Sequence, residues 1–493
     1  MNNKGPIYVS NISDDNSENI MGIIKVNNED SLVKSCGGSC NDAAGEIHLP
    51  QSNKHFAVIN PSKMCQPMGA VQALLGIKGA MPLIHGSQGC STYMRFQLCR
   101  HFREPVNVSS TSMSESTVVY GGEENLLKAL ETIWREYKPE IIGVTSSCLT
   151  ETIGDDMGLI IRKFKSKHSD EELPSIVPIS TPSYSGSHVD GYNKVIKSLL
   201  ENIAVQKKPN DKINIIAGII SPADTREVKK ILDLIECRYN MLTDNSESLD
   251  APHTDSVSFL PSAGTEVCEI QDSANSKATI SLCKHADSGA KFLEKRFEVE
   301  SLTGPLPVGL KNTDRFISTI CQIQKSQIPK KLEKERGRLI DAIIDAHHYN
   351  YQRKVAIYGD PDVVSALAGF VAELGMIPAV TCTGAESDRF LEDMKEVAKE
   401  STSKPAVMVG GDLYDLQNYI RHNPVDLLIG NSYGARIASE EDIPLLRIGF
   451  PIYDRMGAQR TPIVGYSAGI HLVDTLANMI LEKYYDDSGW EIE

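Results

Sequence analysis

The sequence predicts an α/β protein built of three domains, each a parallel sheet flanked by helices. Short apolar runs typical of buried strands alternate with longer segments of helical spacing, and this alternation favours parallel sheets covered by helices on both faces. The chain has 493 residues, which is more than one hydrophobic core usually serves. We therefore expect several domains.

The first expected segments are an irregular arm over residues 1–57 and an α/β domain over 58–205. The arm is polar and ends in the Gly- and Ser-rich string CGGSCNDAAGE. In the domain, the runs GAMPLIHG and PEIIGVTSS are typical of buried strands that enter loops of small residues. Between them, GGEENLLKALETIWREYKPE has the apolar spacing of one helix face, so it predicts a helix.

The second and third α/β domains are expected at 206–328 and 329–493. KINIIAGII predicts a strand at 212–220, and the following helix begins at a capping serine, Ser221. Residues of about 241–300 are polar with weak periodicity, which predicts loops and short elements. A long helix is expected at about 329–350, and the strands KVAIYG, PAVMVGG, VDLLIG and LLRIGFP then alternate with helices.

Composition excludes several classes of function. The 50 basic and 65 acidic residues give a net charge of -15, which repels a phosphate backbone, so we expect no nucleic acid partner. No apolar run reaches the roughly 20 residues that span a bilayer, and the start lacks a signal peptide, so we expect a cytoplasmic protein with no membrane partner. The 11 cysteines should then be mostly reduced thiols, which are available for metal ligation.

Three cysteines stand in similar settings. Cys65 lies in NPSKMCQPMGA, Cys90 in HGSQGCSTY and Cys148 in GVTSSCLTETIGDD. Cys90 and Cys148 follow predicted strands in loops of small residues, where main-chain amides can approach an inorganic cluster. The spacing differs from the paired CxxC of a zinc ribbon, and buried cysteines are also common small apolar residues. The pattern alone leaves Fe–S ligation and simple packing open.

The chain resembles the nitrogenase component 1 family from about residue 58 to about 482. The resemblance is carried by strings that occur in the family's order: NPSKMCQPMGAV, MPLIHGSQGC, RHFREPV, SMSESTVVYGG, SSCLTETIGDD, TPSYSGSHVDGY, ERGRLIDAIIDAHH, IGNSYG and GFPIYDR. HGSQGC followed by RHFREP is similar to the β and N-type members rather than the α and E-type members. The resemblance implies the three-domain component 1 fold.

The resemblance implies ligands for an Fe–S cluster shared between two subunits. Cys65, Cys90 and Cys148 match the three β-chain cysteines that hold this cluster, and Ser183 matches the serine associated with it. These matches favour the β chain of dinitrogenase. The string GFPIYDRMGAQR, where β chains typically have a His-rich segment, is closer to the N-type subunit of the scaffold on which the iron-molybdenum cofactor is assembled.

We therefore expect a scaffold subunit, with the β chain, which relays electrons for reduction of N2 to ammonia, as the alternative. The implied cofactor is a [4Fe-4S] cluster for the scaffold or an [8Fe-7S] cluster for the β chain. The implied partners are an E-type or α subunit in an α2β2-like heterotetramer and the nitrogenase iron protein. No catalytic side chain is expected on this chain. A third possibility is an α/β enzyme that uses the same loops for an unrelated ligand.

The remaining candidate residues are weaker. Asp341 and Asp345 lie four apart on one helix face and correspond, with Arg103 and Glu104, to a divalent cation site between β chains; a solvated acidic face is the alternative. We expect Cys36 and Cys40 to lie in an uncommitted tail and His85 to be a buried histidine with its hydrogen bonds satisfied. Glu151, Asp155 and Asp156 are expected to be partners of helix amides. The remaining cysteines are expected to be packing or incidental residues: Cys99, Cys237, Cys268, Cys283, Cys321 and Cys382.

Overall fold

The computed structural model describes residues 47–50, 58–255 and 258–488, and within them it shows three parallel sheets flanked by helices. This confirms the predicted fold class. Most of the expected arm over 1–57 lies outside the described residues, as do Cys36 and Cys40. The three-domain boundaries remain a prediction.

The first sheet has the strand order β2-β1-β3-β4, and all its pairs are parallel. Leu83 in its centre pairs with Ser109 on one side and Val144 on the other. Its elements are α1 (Gln66–Leu75), β1 (Ala80–His85), α2 (Gln88–Phe102), β2 (Ser109–Ser110), α3 (Glu115–Tyr120), α4 (Glu123–Tyr137), β3 (Ile141–Ser146), α5 (Cys148–Ile153), α6 (Met157–Lys167), β4 (Ser175–Ile179) and α7 (His188–Ile203).

The second sheet has the order β6-β5-β7-β8, also parallel. Its elements are β5 (Ile213–Ile216), α8 (Pro222–Leu234), β6 (Tyr239–Met241), α9 (Val267–Asp272), β7 (Ala278–Ser281), α10 (Ser288–Phe297), β8 (Glu300–Thr303) and α11 (Gly309–Gln324). The expectation of loops and short elements over 241–300 is wrong for its second half. Residues 278–303 form a strand, a ten-residue helix and a further strand, because buried Ile280, Ala290 and Leu293 supply a core face.

The third sheet has the order β11-β10-β9-β12-β13. Its elements are α12 (Lys330–Asn350), β9 (Lys354–Gly359), α13 (Pro361–Glu373), β10 (Ile377–Thr383), α14 (Asp388–Glu400), β11 (Ala406–Val409), α15 (Leu413–His422), β12 (Leu427–Gly430), α16 (Ala435–Glu440), β13 (Leu445–Arg447) and α17 (Gly465–Ser488). The long helix expected at about 329–350 is confirmed as α12. Within the described ranges, every helix is too short or too polar to cross a bilayer.

One continuous cluster of buried apolar side chains joins the three sheets. It includes Val177 of β4, Ile215 of β5 and Ile357 of β9, each at most 1% exposed. The strands of the first and third sheets are mostly apolar on both faces because helices cover both sides. In the second sheet, Asn214, Asn240 and Thr279 lie side by side and are buried. The three sheets therefore share packed surfaces, and a displacement in one is transmitted to its neighbours.

The helices α1 and α7 cross with their backbones in contact. A Cβ atom on Gly69 would fall against the carbonyl oxygen of His188, and a Cβ on Gly191 would fall against that of Gln66. Only glycine allows two helix backbones to approach so closely. This crossing fixes the N-terminal end of α1 against the N-terminal end of α7.

Candidate functional site

The three candidate cysteines lie at one edge of the first sheet. Cys90 is in the first turn of α2, which follows β1, and Cys148 is the first residue of α5, which follows β3. Cys65 immediately precedes α1, whose chain leads into β1. The carboxyl ends of parallel strands meet at a common edge, where helices begin and where α/β proteins place their ligands. The topology thus brings together residues that are distant in sequence.

The sulfur atoms of the three cysteines are close enough for their charges to interact. Burial raises the pKa of the Cys65 thiol, the main-chain N–H of Met68 opposes this rise, and the Cys90 and Cys148 sulfurs add to it. Cys65 and Cys90 are half-buried, Cys148 is exposed, and all three are free thiols. Three thiolates gathered in a partly desolvated place repel one another, so a bound group that carries positive metal charge would stabilise them.

Small residues let the loops of this edge pack tightly. A Cβ on Gly86, which follows β1, would collide with the side chain of Ser147, which follows β3. Ser147 caps α5, and its Oγ accepts a hydrogen bond of 3.4 Å from the N–H of Thr150. The Oγ of Ser87 lies 3.9 Å from Sγ of Cys90. The helix starts therefore present amide and hydroxyl donors beside the thiols, as anionic sulfur requires.

Ser183 lies on the neighbouring loop, between β4 and α7, and is half-buried. Because β4 pairs with β3, this loop is adjacent to the one that carries Cys148. Gln66 ties it to the start of α1: its Nε2 donates to the Ser185 carbonyl oxygen and lies 3.2 Å from the Ser185 Oγ. Ser183 is thus on the same sheet edge as the cysteines.

His188 is a residue of this site that the sequence reasoning missed. It is 1% exposed at the start of α7, and its main-chain N–H donates to the Met64 carbonyl at 2.9 Å. Its ring Nδ1 accepts from the Met64 N–H at 3.3 Å, and its Nε2 lies 3.0 Å from Oδ1 of Asp360. The string TPSYSGSHVDGY contains this histidine, but nothing in its pattern indicates a partner in β9–α13.

His85 is a satisfied buried histidine, as the sequence reasoning favoured. Its ring nitrogens lie 3.1 Å from the Thr111 hydroxyl and 3.1 Å from the Asp155 carboxylate. Burial lowers the pKa of His85 while the Asp155 charge opposes that change. Asp155 also accepts from the N–H of Gly122, and Asp156 caps α6 by accepting from Leu159. These two carboxylates complement main-chain amides, whereas Glu151 accepts from the hydroxyls of Ser146 and Ser180, at 2.5 Å each.

The four residues of the expected cation site lie on two different elements. Arg103 ends α2 and donates to the Tyr453 carbonyl at 3.2 Å, and Glu104 accepts from the N–H of Ala251 at 3.2 Å. Asp341 and Asp345 are exposed on α12. A site that combines both pairs remains a prediction for the contact between two copies of the chain.

The other cysteines have different environments. Cys237, Cys283, Cys321 and Cys382 are buried, which agrees with a packing role, and Cys268 is exposed. Cys99 packs against the same apolar cluster as Cys65 and Cys90. Within residues 47–50, 58–255 and 258–488, no three His, Cys, Asp or Glu side chains are arranged to hold one metal ion together. The donor set of three separate thiols fits a larger sulfide cluster, whose ligands are spread over several irons.

Comparison with known proteins places this site in a family. A model of "Nitrogenase component 1 type Oxidoreductase" matches residues 65–481, which include all three candidate cysteines. The chain belongs to the nitrogenase component 1 family. The family implies Fe–S-type clusters, in agreement with the thiols at the sheet edge.

The similar proteins carry β-chain names. The chain is 43% identical to a nitrogenase molybdenum-iron protein beta chain of Methanococcus maripaludis, over 89% of this chain and 97% of that one. It is 41% identical to the molybdenum-iron protein beta chain of Clostridium pasteurianum, over 86% and 93%. It is 37% identical to the vanadium-iron protein beta chain of Trichormus variabilis, over 88% and 96%.

A solved structure supports the same placement. The chain superposes on nitrogenase Cp1 at pH 6.5 with a TM-score of 0.87 and 39% identity, covering 92% of this chain and 99% of that one. These findings favour the β-chain alternative over the scaffold subunit that the sequence reasoning preferred. The string GFPIYDRMGAQR, which favoured the scaffold subunit most strongly, is one short segment, whereas the likeness to β chains spans about nine tenths of the chain.

Proposed function

We propose that this chain is the β subunit of nitrogenase component 1. It supplies Cys65, Cys90 and Cys148 to an [8Fe-7S] cluster shared with an α subunit, with Ser183 beside that cluster. Through such a cluster the chain would relay electrons from the nitrogenase iron protein toward the site where N2 is reduced to ammonia. The observation that carries the proposal is the convergence of the three thiols at one sheet edge, in a chain that is similar to a β chain over 89% of its length.

The exposure of the site supports a shared cluster. Cys148 is exposed, and large aromatic side chains stand exposed on the elements around the thiols: Tyr93 and Phe96 on α2, Tyr120 at the end of α3, and Tyr184 beside Ser183. Exposed aromatic patches on soluble proteins mark contact surfaces. A homologous α subunit that covers this surface would add its own thiolates and exclude water, giving an α2β2 heterotetramer.

The side chains of this chain hold and orient the cluster rather than react with substrate. The thiolates supply ligands, the amides at the starts of α1, α2 and α5 offer hydrogen bonds to sulfur, and the partner subunit completes the desolvation. When bound, such a cluster supplies one-electron storage and transfer. No catalytic residue for N2 reduction is assigned to this chain.

A second candidate function is the N-type subunit of the cofactor assembly scaffold, with a [4Fe-4S] cluster in the same place. It is favoured by the string GFPIYDRMGAQR, which lacks the His-rich segment typical of β chains. The whole segment follows β13, and Met456 within it is 77% exposed. The two functions differ in the size of the cluster and in catalysis.

A divalent cation between two copies of the chain belongs to the β-subunit proposal. Asp341 and Asp345 of one copy would provide carboxylate oxygens, and the segment with Arg103 and Glu104 of the other copy would complete the site. Exposed carboxylates one helical turn apart suit a hard cation, which takes oxygen ligands.

The decisive experiment uses the chain co-expressed and purified with its α partner. Iron and acid-labile sulfide analysis with EPR should give an eight-iron cluster, and adding the iron protein with ATP should give acetylene reduction. A four-iron cluster together with transfer of a cofactor precursor to apo-nitrogenase would instead assign the scaffold function. A complex without iron or sulfide would contradict both functions.

A further inference from the structure

His188 joins the segment before Cys65 to two other parts of the fold. Its main-chain N–H and its ring Nδ1 engage the carbonyl and the N–H of Met64, the residue next to Cys65. On the other side of the ring, Nε2 lies 3.0 Å from Oδ1 of Asp360, which follows β9 of the third sheet. The contacts at both ring nitrogens are buried, since His188 is 1% exposed and Asp360 is 9% exposed.

The neighbours of the two ring nitrogens indicate which of them carries the proton. A negative oxygen beside Nε2 favours the proton on that nitrogen, and Nδ1 is then a free acceptor. Nδ1 is the atom that receives the Met64 N–H. Asp360, which follows a strand of the third sheet, thus favours one orientation and one tautomer of the His188 ring. In that state the ring accepts the N–H of Met64, which precedes the first helix of the first sheet.

The segment that carries Cys65 has little other freedom. After Cys65 the chain enters α1, which is packed backbone to backbone on α7 at Gly69 and Gly191. Before Cys65 the two bonds from His188 fix Met64, whose side chain is 7% exposed. The thiol therefore lies between a rigid helix and a residue that is held by one histidine.

We propose that His188, with its tautomer set by Asp360, is a positioning residue that fixes the main chain of Met64 and through it the direction of the Cys65 thiolate toward the shared cluster. The inference rests on the proposed function, because it takes Cys65 as a cluster ligand. Loss of the Nδ1 acceptor leaves the buried Met64 N–H unpaired, and the chain must move to satisfy it. The Fe–S bond at Cys65 then loses its fixed direction, which changes both the retention of the cluster and its redox properties.

The test uses three substitutions at one position in the complete complex with the α partner. In His188→Asn the amide oxygen stands where Nδ1 stood, so it can accept the Met64 N–H. In His188→Gln the amide reaches the place of Nε2 instead. His188→Ala removes the groups at both ring-nitrogen positions. The readouts are the rate at which a ferrous chelator removes iron and the midpoint potential of the cluster in an EPR redox titration. His168→Ala is the matched control, because His168 is also a buried histidine, 7% exposed, and pairs with Glu171 just after the end of α6.

We expect iron release to be about fivefold faster in His188→Ala and His188→Gln, as the loss of one main-chain hydrogen bond implies, with a displaced midpoint potential. His188→Asn and His168→Ala should behave like the wild type. Equal behaviour of the Asn and Gln variants would overturn the proposal, and so would a His188→Ala variant indistinguishable from His168→Ala. Failure of both amide variants to assemble would assign His188 to folding and would also overturn it.

A parallel Cys65→Ala variant separates this inference from the proposed function. If Cys65→Ala keeps its full iron content, the cluster assignment itself fails. If Cys65→Ala loses iron while all the His188 variants match the wild type, the cluster assignment stands and only the role of His188 is refuted.

Discussion

Replacing Gly69 by alanine tests how firmly the α1–α7 crossing holds the cysteine site. A Cβ at this position would lie 1.7 Å from the His188 carbonyl oxygen, whereas real Cβ atoms essentially never come within 3.0 Å of another heavy atom. The two helices would have to separate by about 1 Å or more, because the obstacle is main chain and cannot rotate away. Both helices are buried here, so the shift disturbs the surrounding core.

We expect Gly69→Ala to lower the free energy of unfolding by about 3 kcal/mol, at the upper end of the usual cost of over-packing. Since α1 begins next to Cys65, iron content should fall as well. The assay is urea unfolding of the purified complex followed by circular dichroism, with iron measured per tetramer. The control is Gly337→Ala in α12, where nothing lies within 4 Å of the new Cβ; it should be neutral or stabilising by about 0.5 to 1 kcal/mol. A Gly69→Ala complex with wild-type stability and iron would refute the reasoning.

Three further results are expected. Burial lowers the pKa of His101 to about 4; the Ile452 contact opposes this shift and the charge of Arg103 adds to it. Because the pKa of an unfolded histidine is near 6.5, this contribution to stability should be complete above pH 6.5. It should fall as the pH drops toward 4, by at most about 1.4 kcal/mol per pH unit. His101→Asn keeps an acceptor for the Ile452 N–H, so its urea midpoint should be nearly independent of pH between about 6.5 and 4. A midpoint that still falls with pH as in the wild type would contradict this assignment. Phe102→Ala removes a ring that is 1% exposed and stacked 6.2 Å from Phe450, so the free energy of unfolding should drop by about 3 to 5 kcal/mol in the same assay; a drop below about 1 kcal/mol would show that the site collapses around the cavity. Asp341→Asn combined with Asp345→Asn should remove a divalent cation from the tetramer and weaken its association, as measured by metal analysis and sedimentation, whereas an unchanged cation content would exclude this site.

The sequence allowed the fold class and the placement of the cysteines to be predicted. Cys90 and Cys148 follow buried strands, and parallel strands bring their carboxyl ends to one edge whatever the distance between them along the chain. The role of Cys65 needed the family resemblance, because it precedes a helix rather than following a strand. Cys65 is held at the sheet edge by the crossing of α1, which it precedes, with α7.

Other features could not be predicted, for identifiable physical reasons. The strand β7 is only four residues long, which is too short for its alternation of apolar and polar residues to stand out among the polar residues around it, so the βα unit at 278–297 resembled loop sequence. The pair of His188 and Asp360 forms across two sheets, and no local pattern records such a contact. The segment GFPIYDRMGAQR favours the scaffold subunit, whereas similarity over about nine tenths of the chain favours the β chain, so the choice of subunit stays a prediction.

Iron and acid-labile sulfide analysis of a Cys90→Ala complex tests the central claim most directly. The matched control is Cys268→Ala, which removes an exposed thiol from the second sheet's α9. If three converging thiols hold a cluster at the subunit boundary, Cys90→Ala should lose its iron, its sulfide and much of its binding to the α subunit, while Cys268→Ala keeps all three. A Cys90→Ala complex with the iron and sulfide content of the control would contradict the account.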